Sequence, residues 1–404
     1  MNQKQFAATV SALRKKRGLT QSALARQLNV SDKAVSKWET GLGYPEITLL
    51  PKLASILGVT VDYLMTGQRR GIAVAGMIVN DIVKSIDLYP QRGMLANILS
   101  IRRAVGGCVP NTAVDLARMD QSLPVCVAGC VGDDEAGRYV LTQLQHNNID
   151  TTRITITDAA TNFTDVMSLP NGERTFFYYA DGANALFDPQ SMDISSLNCT
   201  MLHMGYLLAM PRFDAPDPEY GTVMARFLKD VQSCGIKTSF DVVSAAQGEY
   251  PVKIIPALKY TDNVIVNEIE CCNIWACDPR RPDGALDVTV LRDAMERTMA
   301  QGVSERVIIH SKEAGFCLNR EGEFTVVPSL EIPDHEIKGS VGAGDAFCAG
   351  CLYGIYHNWT DREILEFASA SAACNLFAEN SVDGARSKDE IFAVKSRYAR
   401  KRIP

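Results

Sequence analysis

Residues 339–347 read Gly-Ser-Val-Gly-Ala-Gly-Asp-Ala-Phe and run straight into the apolar stretch Cys348-Ala-Gly-Cys-Leu-Tyr-Gly-Ile-Tyr356. A glycine-rich turn that opens a helix aims successive backbone N–H groups outward at the positive end of the helix dipole. Gly342, Ala343 and Gly344 are spaced to form such an anion nest. Asp345, beside the nest, is poorly placed as a phosphate ligand. It is well placed as a general base that takes the proton of an attacking hydroxyl. Phosphoryl transfer requires this combination of neutralised oxygens and a positioned nucleophile.

Outward from that stretch, the chain from Gly71 alternates strand-like apolar runs with helical patterns. The runs are 71–79, 124–131, 200–204, 237–243, 263–267 and 306–310; the helical patterns are 111–119, 135–147, 221–233, 288–300, 344–357 and 361–378. Such alternation predicts an α/β domain, a central and mostly parallel sheet with helices on both faces. Residues 82–104 and 163–180 break the rhythm as extended hairpins, the second turning at Pro170-Asn171-Gly172. They predict a small β lid.

The first 70 residues differ in charge and in period. They hold 11 Lys and Arg against 4 Asp and Glu, while the remainder holds 30 against 43, so a net charge of −6 conceals a basic head and an acidic body. Phe6, Val10 and Leu13, then Leu24, Ala25 and Leu28, then Val35 and Trp38, then Leu49, Leu50, Leu53, Ile56 and Leu57 recur at helical spacing. Thr20, Ser31 and Thr60 stand as N-caps. Two domains are expected: an all-α unit at 1–67 and an α/β unit at 71–404, joined by the polar link 65–71.

Composition bounds the rest. Hydrophobic residues make up 46% and charged residues 22%, which excludes a largely disordered chain. No apolar run reaches the length of a membrane span, and residues 1–18 lack the apolar core of a signal peptide, so a cytoplasmic protein is expected. The twelve cysteines then read as buried free thiols. Cys348-Ala-Gly-Cys351 has no second Cys/His pair at zinc-ligand spacing, so the spacing predicts no zinc site.

Two stretches carry family resemblances. Leu19-Thr-Gln-Ser-Ala-Leu-Ala-Arg-Gln-Leu-Asn-Val-Ser-Asp-Lys-Ala-Val-Ser-Lys-Trp38, with Gly41 and Tyr44-Pro45 after it, resembles the Cro/C1-type helix-turn-helix family. The resemblance implies DNA binding through residues 1–67, with Ser31, Asp32, Lys33, Ser36 and Lys37 on a recognition helix and Gln21 on phosphate. The run Arg14-Lys-Lys-Arg17 would add backbone contacts. The 339–347 stretch resembles the second signature of the PfkB, ribokinase-like, carbohydrate kinases. Gly106-Gly-Cys-Val-Pro-Asn111, Cys130-Val-Gly-Asp-Asp-Glu-Ala-Gly137, Asn267-Glu-Ile-Glu270 and Gly76-Met-Ile-Val-Asn-Asp81 match further family motifs in the same order.

This second resemblance implies ATP and Mg2+ as cofactors and a sugar or nucleoside as substrate. It makes Asp345 the base and Gly342 to Gly344 the anion hole. Asp81, Gly106, Gly107 and Asn111 become substrate ligands, with Arg174 reaching in from the lid. Asn267 and Glu270 hold phosphate and magnesium, Glu270 through water, and Lys312 and Gly315 fall in the nucleotide-side segment. Gly339 replaces the Asp or Asn with which many relatives build a monovalent-cation site, which counts against such a cation. Relatives of both kinds pair, so a homodimer is expected. Two functions follow: a sugar or nucleoside kinase tuning its own operon, or a transcription factor whose kinase fold binds an effector without catalysis.

Overall fold

The computed structural model describes residues 3–169, 173–243 and 249–402, so the expected turn at Pro170-Asn171-Gly172 lies outside the described residues. The chain forms two compact units, 1–71 with 193–200, and 72–192 with 201–404.

The first unit packs five helices: α1 (Gln3–Lys16), α2 (Gln21–Leu28), α3 (Asp32–Glu39), α4 (Leu50–Leu57) and α5 (Val61–Thr66). Its caps are side-chain oxygens: Thr20 accepts from Ala23 N at 3.1 Å, Ser31 from Ala34 N at 3.3 Å and Thr60 from Tyr63 N at 3.1 Å. Each satisfies a backbone donor that the first turn leaves unpaired. Phe6, Val10, Leu24, Leu28, Val35, Trp38, Leu53 and Leu57 form the buried core. Beside it Arg14 is buried, its Nε and Nη2 donating to Glu39 at 2.6 and 2.9 Å. Arg17 donates to Leu57 O at 3.3 Å and to Asp193 Oδ2 at 3.1 Å, within the same unit. The basic run at 14–17 is therefore half structural: Lys15 and Lys16 are exposed, while both arginines bind their own unit.

In the second unit β1 (Ile72–Gly76) leads to β2 (Val79–Ile86) and β3 (Ile98–Gly106), then α6 (Cys108–Met119), β4 (Val125–Gly132), α7 (Glu135–His146), β5 (Asp150–Thr157), β6 (Phe163–Ser168) and β7 (Arg174–Tyr178). The chain continues through β8 (Met201–Leu207), the short pair β9 (Pro216–Asp217) and β10 (Gly221–Thr222), α8 (Val223–Ser233), β11 (Lys237–Val242), α9 (Tyr250–Leu258) and β12 (Asn263–Asn267). After α10 (Glu268–Ile274) and α11 (Val288–Ala300) come β13 (Arg306–His310), β14 (Ala314–Asn319), β15 (Phe324–Pro328), α12 (Ala343–Tyr356), α13 (Asp361–Leu376) and α14 (Lys388–Arg397).

Among the described residues the large sheet runs β15-β14-β13-β12-β11-β8-β1-β4-β5. It is parallel from β13 to β5, with β14 and β15 antiparallel at one edge. The strand order changes direction around β1, and open α/β sheets bind ligands at the carboxyl ends of strands near such a point. The lid is a separate four-stranded sheet, β3-β2-β6-β7. Its two expected hairpins are fused by a parallel β2–β6 pairing in which Asp81 lies opposite Thr164. Sequence alternation showed each hairpin and gave no sign of that join.

Candidate active site

The carboxyl ends of β8, β11, β12 and β13 and the start of α12 enclose a cavity of ≈ 370 Å³. Gly342 caps α12 in the left-handed region (φ +82), where a side chain would be strained. A Cβ there would also meet Ser381 at 2.7 Å. Gly342 and Gly344 line the cavity. Ala343 N–H donates to Ser340 O at 3.3 Å. The expected three-amide nest is thus narrower, because the middle amide closes the turn that builds it.

Asp345 sits on the first turn of α12, buried at the cavity wall. Its Oδ2 accepts from Asn111 Nδ2 at 2.8 Å and its Oδ1 from the Tyr206 hydroxyl at 2.8 Å. Burial raises its pKa, and these two donors and nearby His203 oppose the rise. A buried carboxylate that accepts two hydrogen bonds and whose proton affinity burial raises suits a general base. Asn111, expected among the substrate ligands, donates to this carboxylate. Tyr206 escaped the sequence reading; its only local signal is a polar hydroxyl ending the apolar run of β8.

Asn267 and Glu270 line the same cavity. They form a reciprocal capping box at the start of α10: Glu270 N donates to Asn267 Oδ1 at 2.8 Å and Asn267 N to Glu270 Oε2 at 3.0 Å. The box fixes the Glu270 side chain at the wall, where a carboxylate oxygen fits the hard-donor preference of magnesium. His310 completes this side; burial pulls its pKa to about 4, so the ring is neutral. Asp241, near the end of β11, is a buried residue of the cavity wall.

Several expected ligands stand elsewhere. Lys312 is exposed, 3.9 Å from Glu313, and does not line the cavity. Gly315 is buried in β14, where a Cβ would meet Phe347 at 3.1 Å, so it is a packing glycine. A side chain at Gly106 would collide with the Asp81 carboxylate, and one at Gly107 with Met77 O at 2.7 Å. These glycines admit protein atoms where the sequence reading expected a sugar. Asp81 itself lies on β2 of the lid, and desolvation lifts its pKa to about 6.

Arg174 leaves the lid for the loop after α13, where Nη2 donates to Glu379 O at 2.6 Å. It lines a second cleft of ≈ 650 Å³ beneath the lid, with Arg102 and Lys338, apart from Asp345. Its guanidinium comes within 2.9 Å of where a Cβ of Gly339 would stand. Gly339 offers no carboxylate to a monovalent cation, and the Arg174 guanidinium stands in the space beside it.

Comparison with known proteins agrees with this geometry. The family model for pfkB family carbohydrate kinases matches residues 71–387, most of the chain. The chain belongs to the pfkB family. A helix-turn-helix model matches residues 10–64 of the same chain. The aminoimidazole riboside kinase of Salmonella typhimurium is 25% identical over 298 residues, covering 73% of this chain and 86% of that protein. The 2-dehydro-3-deoxygluconokinase of Escherichia coli K12 is 26% identical over 261 residues, 62% of this chain and 81% of the relative. Among solved structures, ribokinase from Thermotoga maritima superposes with a TM-score of 0.66 at 18% identity, covering 81% of this chain and all of that one. The head resembles the HTH-type transcriptional activator BcrR of Enterococcus faecalis, 42% identical over 64 residues, 16% of this chain and 31% of that protein. This pfkB kinase thus carries a helix-turn-helix domain, and none of its described helices is long and apolar enough to cross a membrane.

The helix-turn-helix face sorts into two groups. Asp32, Lys33 and Lys37 of α3 are exposed and Ser36 is half-buried. Ser31 is the cap of α3, and Ser22 Oγ donates to Asp32 Oδ2 at 2.6 Å, so both brace the turn between the helices. Gln21 Nε2 donates to Glu39 Oε2 at 2.8 Å, which ties the start of α2 to the end of α3.

Proposed function

We propose that the kinase domain transfers the γ-phosphoryl group of ATP to a hydroxyl of a sugar or nucleoside. In this reading Asp345 accepts the hydroxyl proton, and the amides of Gly342 and Gly344 face the transferring phosphoryl group. Asn111 and Tyr206 hold the base. Asp81, on the lid strand above it, takes hydroxyls of the sugar and brings the lid down to exclude water. Glu270, with Asn267, would hold magnesium through water; the ion when bound supplies neutralisation of phosphate charge. The observation that carries the reading is the Asp345 carboxylate, buried at the cavity wall and gripped on both oxygens beside the helix N-terminus. An intact base with its donors favours catalysis over effector binding alone. Relatives named as kinases of an aminoimidazole riboside and of a deoxygluconate support a polyol substrate of that size.

The head domain binds operator DNA through α3 in this proposal, with Lys33 and Lys37 as exposed cations on the recognition helix. Two copies would read two half-sites, and the lid offers a means of pairing. Its outer strands expose Ile98, Leu99, Ile101, Phe176 and Phe177, an apolar surface of a kind that marks protein contact. Incubation of the purified chain with ATP, magnesium and a panel of sugars and nucleosides tests catalysis: substrate-dependent ADP release supports the kinase, and none across the panel counts against it. For the head, Lys33→Glu with Lys37→Glu is expected to weaken operator binding and flatten its salt dependence by about two counterions. ADP release by the same variant should be unchanged.

A further inference from the structure

Behind Asp345 lies a group of side chains that phosphoryl transfer leaves unused. His203 on β8, Asp241 on β11 and Cys348 on α12 are buried, and one ligand atom from each lies within 4.8 Å of the others. His203 Nε2 is 3.5 Å from Asp241 Oδ2 and 3.4 Å from Cys348 Sγ. Around a tetrahedral ion with bonds of ~2.0–2.1 Å to nitrogen and oxygen and ~2.3 Å to sulfur, those edges would be roughly 3.3 and 3.6 Å. Two of the three distances among these ligand atoms, from three separate elements, therefore already match the edges of a coordination tetrahedron.

The surroundings fit a metal in three further ways. His203 Nδ1 is 2.9 Å from Ser239 Oγ, a second partner that leaves Nε2 to face Asp241 and Cys348. Asp241 Oδ1 is buried without a hydrogen-bond partner among the described residues, and an unpartnered carboxylate oxygen in the interior is costly. Gly205 lets that carboxylate approach the strand, since a Cβ on it would meet Asp241 Oδ1 at 2.6 Å and Cys108 Sγ at 2.8 Å. Asp241 and Cys348 also line the Asp345 cavity, so a fourth position would open toward it.

We propose that His203, Asp241 and Cys348 bind one divalent transition-metal ion of the zinc class in the wall of the active-site cavity. Imidazole and thiolate select such ions over magnesium, so this site is distinct from the one at Glu270. Binding displaces the Cys348 thiol proton to solvent. Cys348 follows Asp345 by one helical turn, so the ion places a charge beside the base and couples the kinase to metal supply. The ion site stands whether or not the domain phosphorylates a sugar.

The test uses the full chain, stripped with chelator and titrated with Co2+, whose d–d bands report tetrahedral geometry and whose charge-transfer band reports thiolate. The wild-type chain is expected to take up one equivalent with both signatures, Cys351→Ser to retain them, and Cys348→Ser to lose the thiolate band. X-ray absorption on the wild-type cobalt complex, which needs no variant, should find one sulfur among nitrogen and oxygen ligands. Absence of tetrahedral cobalt bands, a thiolate band that survives Cys348→Ser, or two or more sulfurs at the ion would overturn the proposal.

Discussion

Asp81 is held at a cost that a single substitution should recover. Its carboxyl packs against Gly106, accepts from Thr164 and faces the charge of Asp345, and desolvation lifts its pKa from 3.8 to about 6. The sign follows from linkage: below pH 4 both folded and unfolded chains carry the protonated acid, and Asp81 costs nothing. Between pH 4 and 6 the unfolded chain ionises first, and the folded state loses stability steadily as pH rises. Above pH 6 the loss is complete. At 1.36 kcal/mol per pH unit, with allowance for the partly exposed edge of the residue, it amounts to roughly 2–3 kcal/mol. Asp81→Asn keeps the shape and removes the charge. Urea unfolding of the kinase domain at pH 8, followed by tryptophan fluorescence, should show the variant more stable by that amount. At pH 4 the two proteins should coincide, and at pH 8 the variant should bind sugar more weakly. Equal stability at pH 8 would refute the account of Asp81 as a strained ligand kept for function.

Other consequences follow from the same contacts. Tyr206→Phe removes a donor to the ionised base, and a hydrogen bond to a charged group is worth about 1.5–3 kcal/mol. The acid limb of the kcat/KM profile, already raised by burial of Asp345, should move up by about 1–2 pH units; an unmoved limb would exclude Tyr206 as a positioning residue. Because Arg174 fills the space at Gly339, the phosphorylation rate should be the same in potassium and in tetramethylammonium chloride at equal ionic strength. A clear potassium stimulation would show that the arginine does not stand in for the ion. Glu39→Ala strips the partner from the buried Arg14 guanidinium and should cost the head about 3 kcal/mol. Helical circular dichroism of the isolated melting transition would report it, with operator binding lost in parallel.

Much of the fold was legible because its signals are local. The helices of both units announce themselves by apolar spacing and by capping side chains at Thr20, Ser31 and Thr60. The inner strands are short apolar runs between them. β5 was missed because its alternation, Asp-Thr-Thr-Arg-Ile-Thr-Ile-Thr, is that of a half-exposed edge strand with few large apolar residues. α10 was missed because seven residues hold too few turns to show a period. In the site, Asp345 and the Asn267–Glu270 pair, expected from motifs that each lie within one turn of chain, line one cavity. Tyr206 and the grouping of His203, Asp241 and Cys348 were not legible, because they meet only after two strands and a helix assemble. Lys312 and Gly315 stand outside that cavity for a related reason: a motif kept only in part fixes the segment but not which way its side chains face.

The central claim is that Asp345 is the base of a working kinase. Transfer of labelled γ-phosphate to the best substrate should be compared in the wild-type chain and Asp345→Asn, with binding of ATP and sugar measured on both by calorimetry. The account predicts that the variant binds both ligands yet transfers phosphate about 10²–10⁴-fold more slowly. Transfer at the wild-type rate by the variant would contradict it.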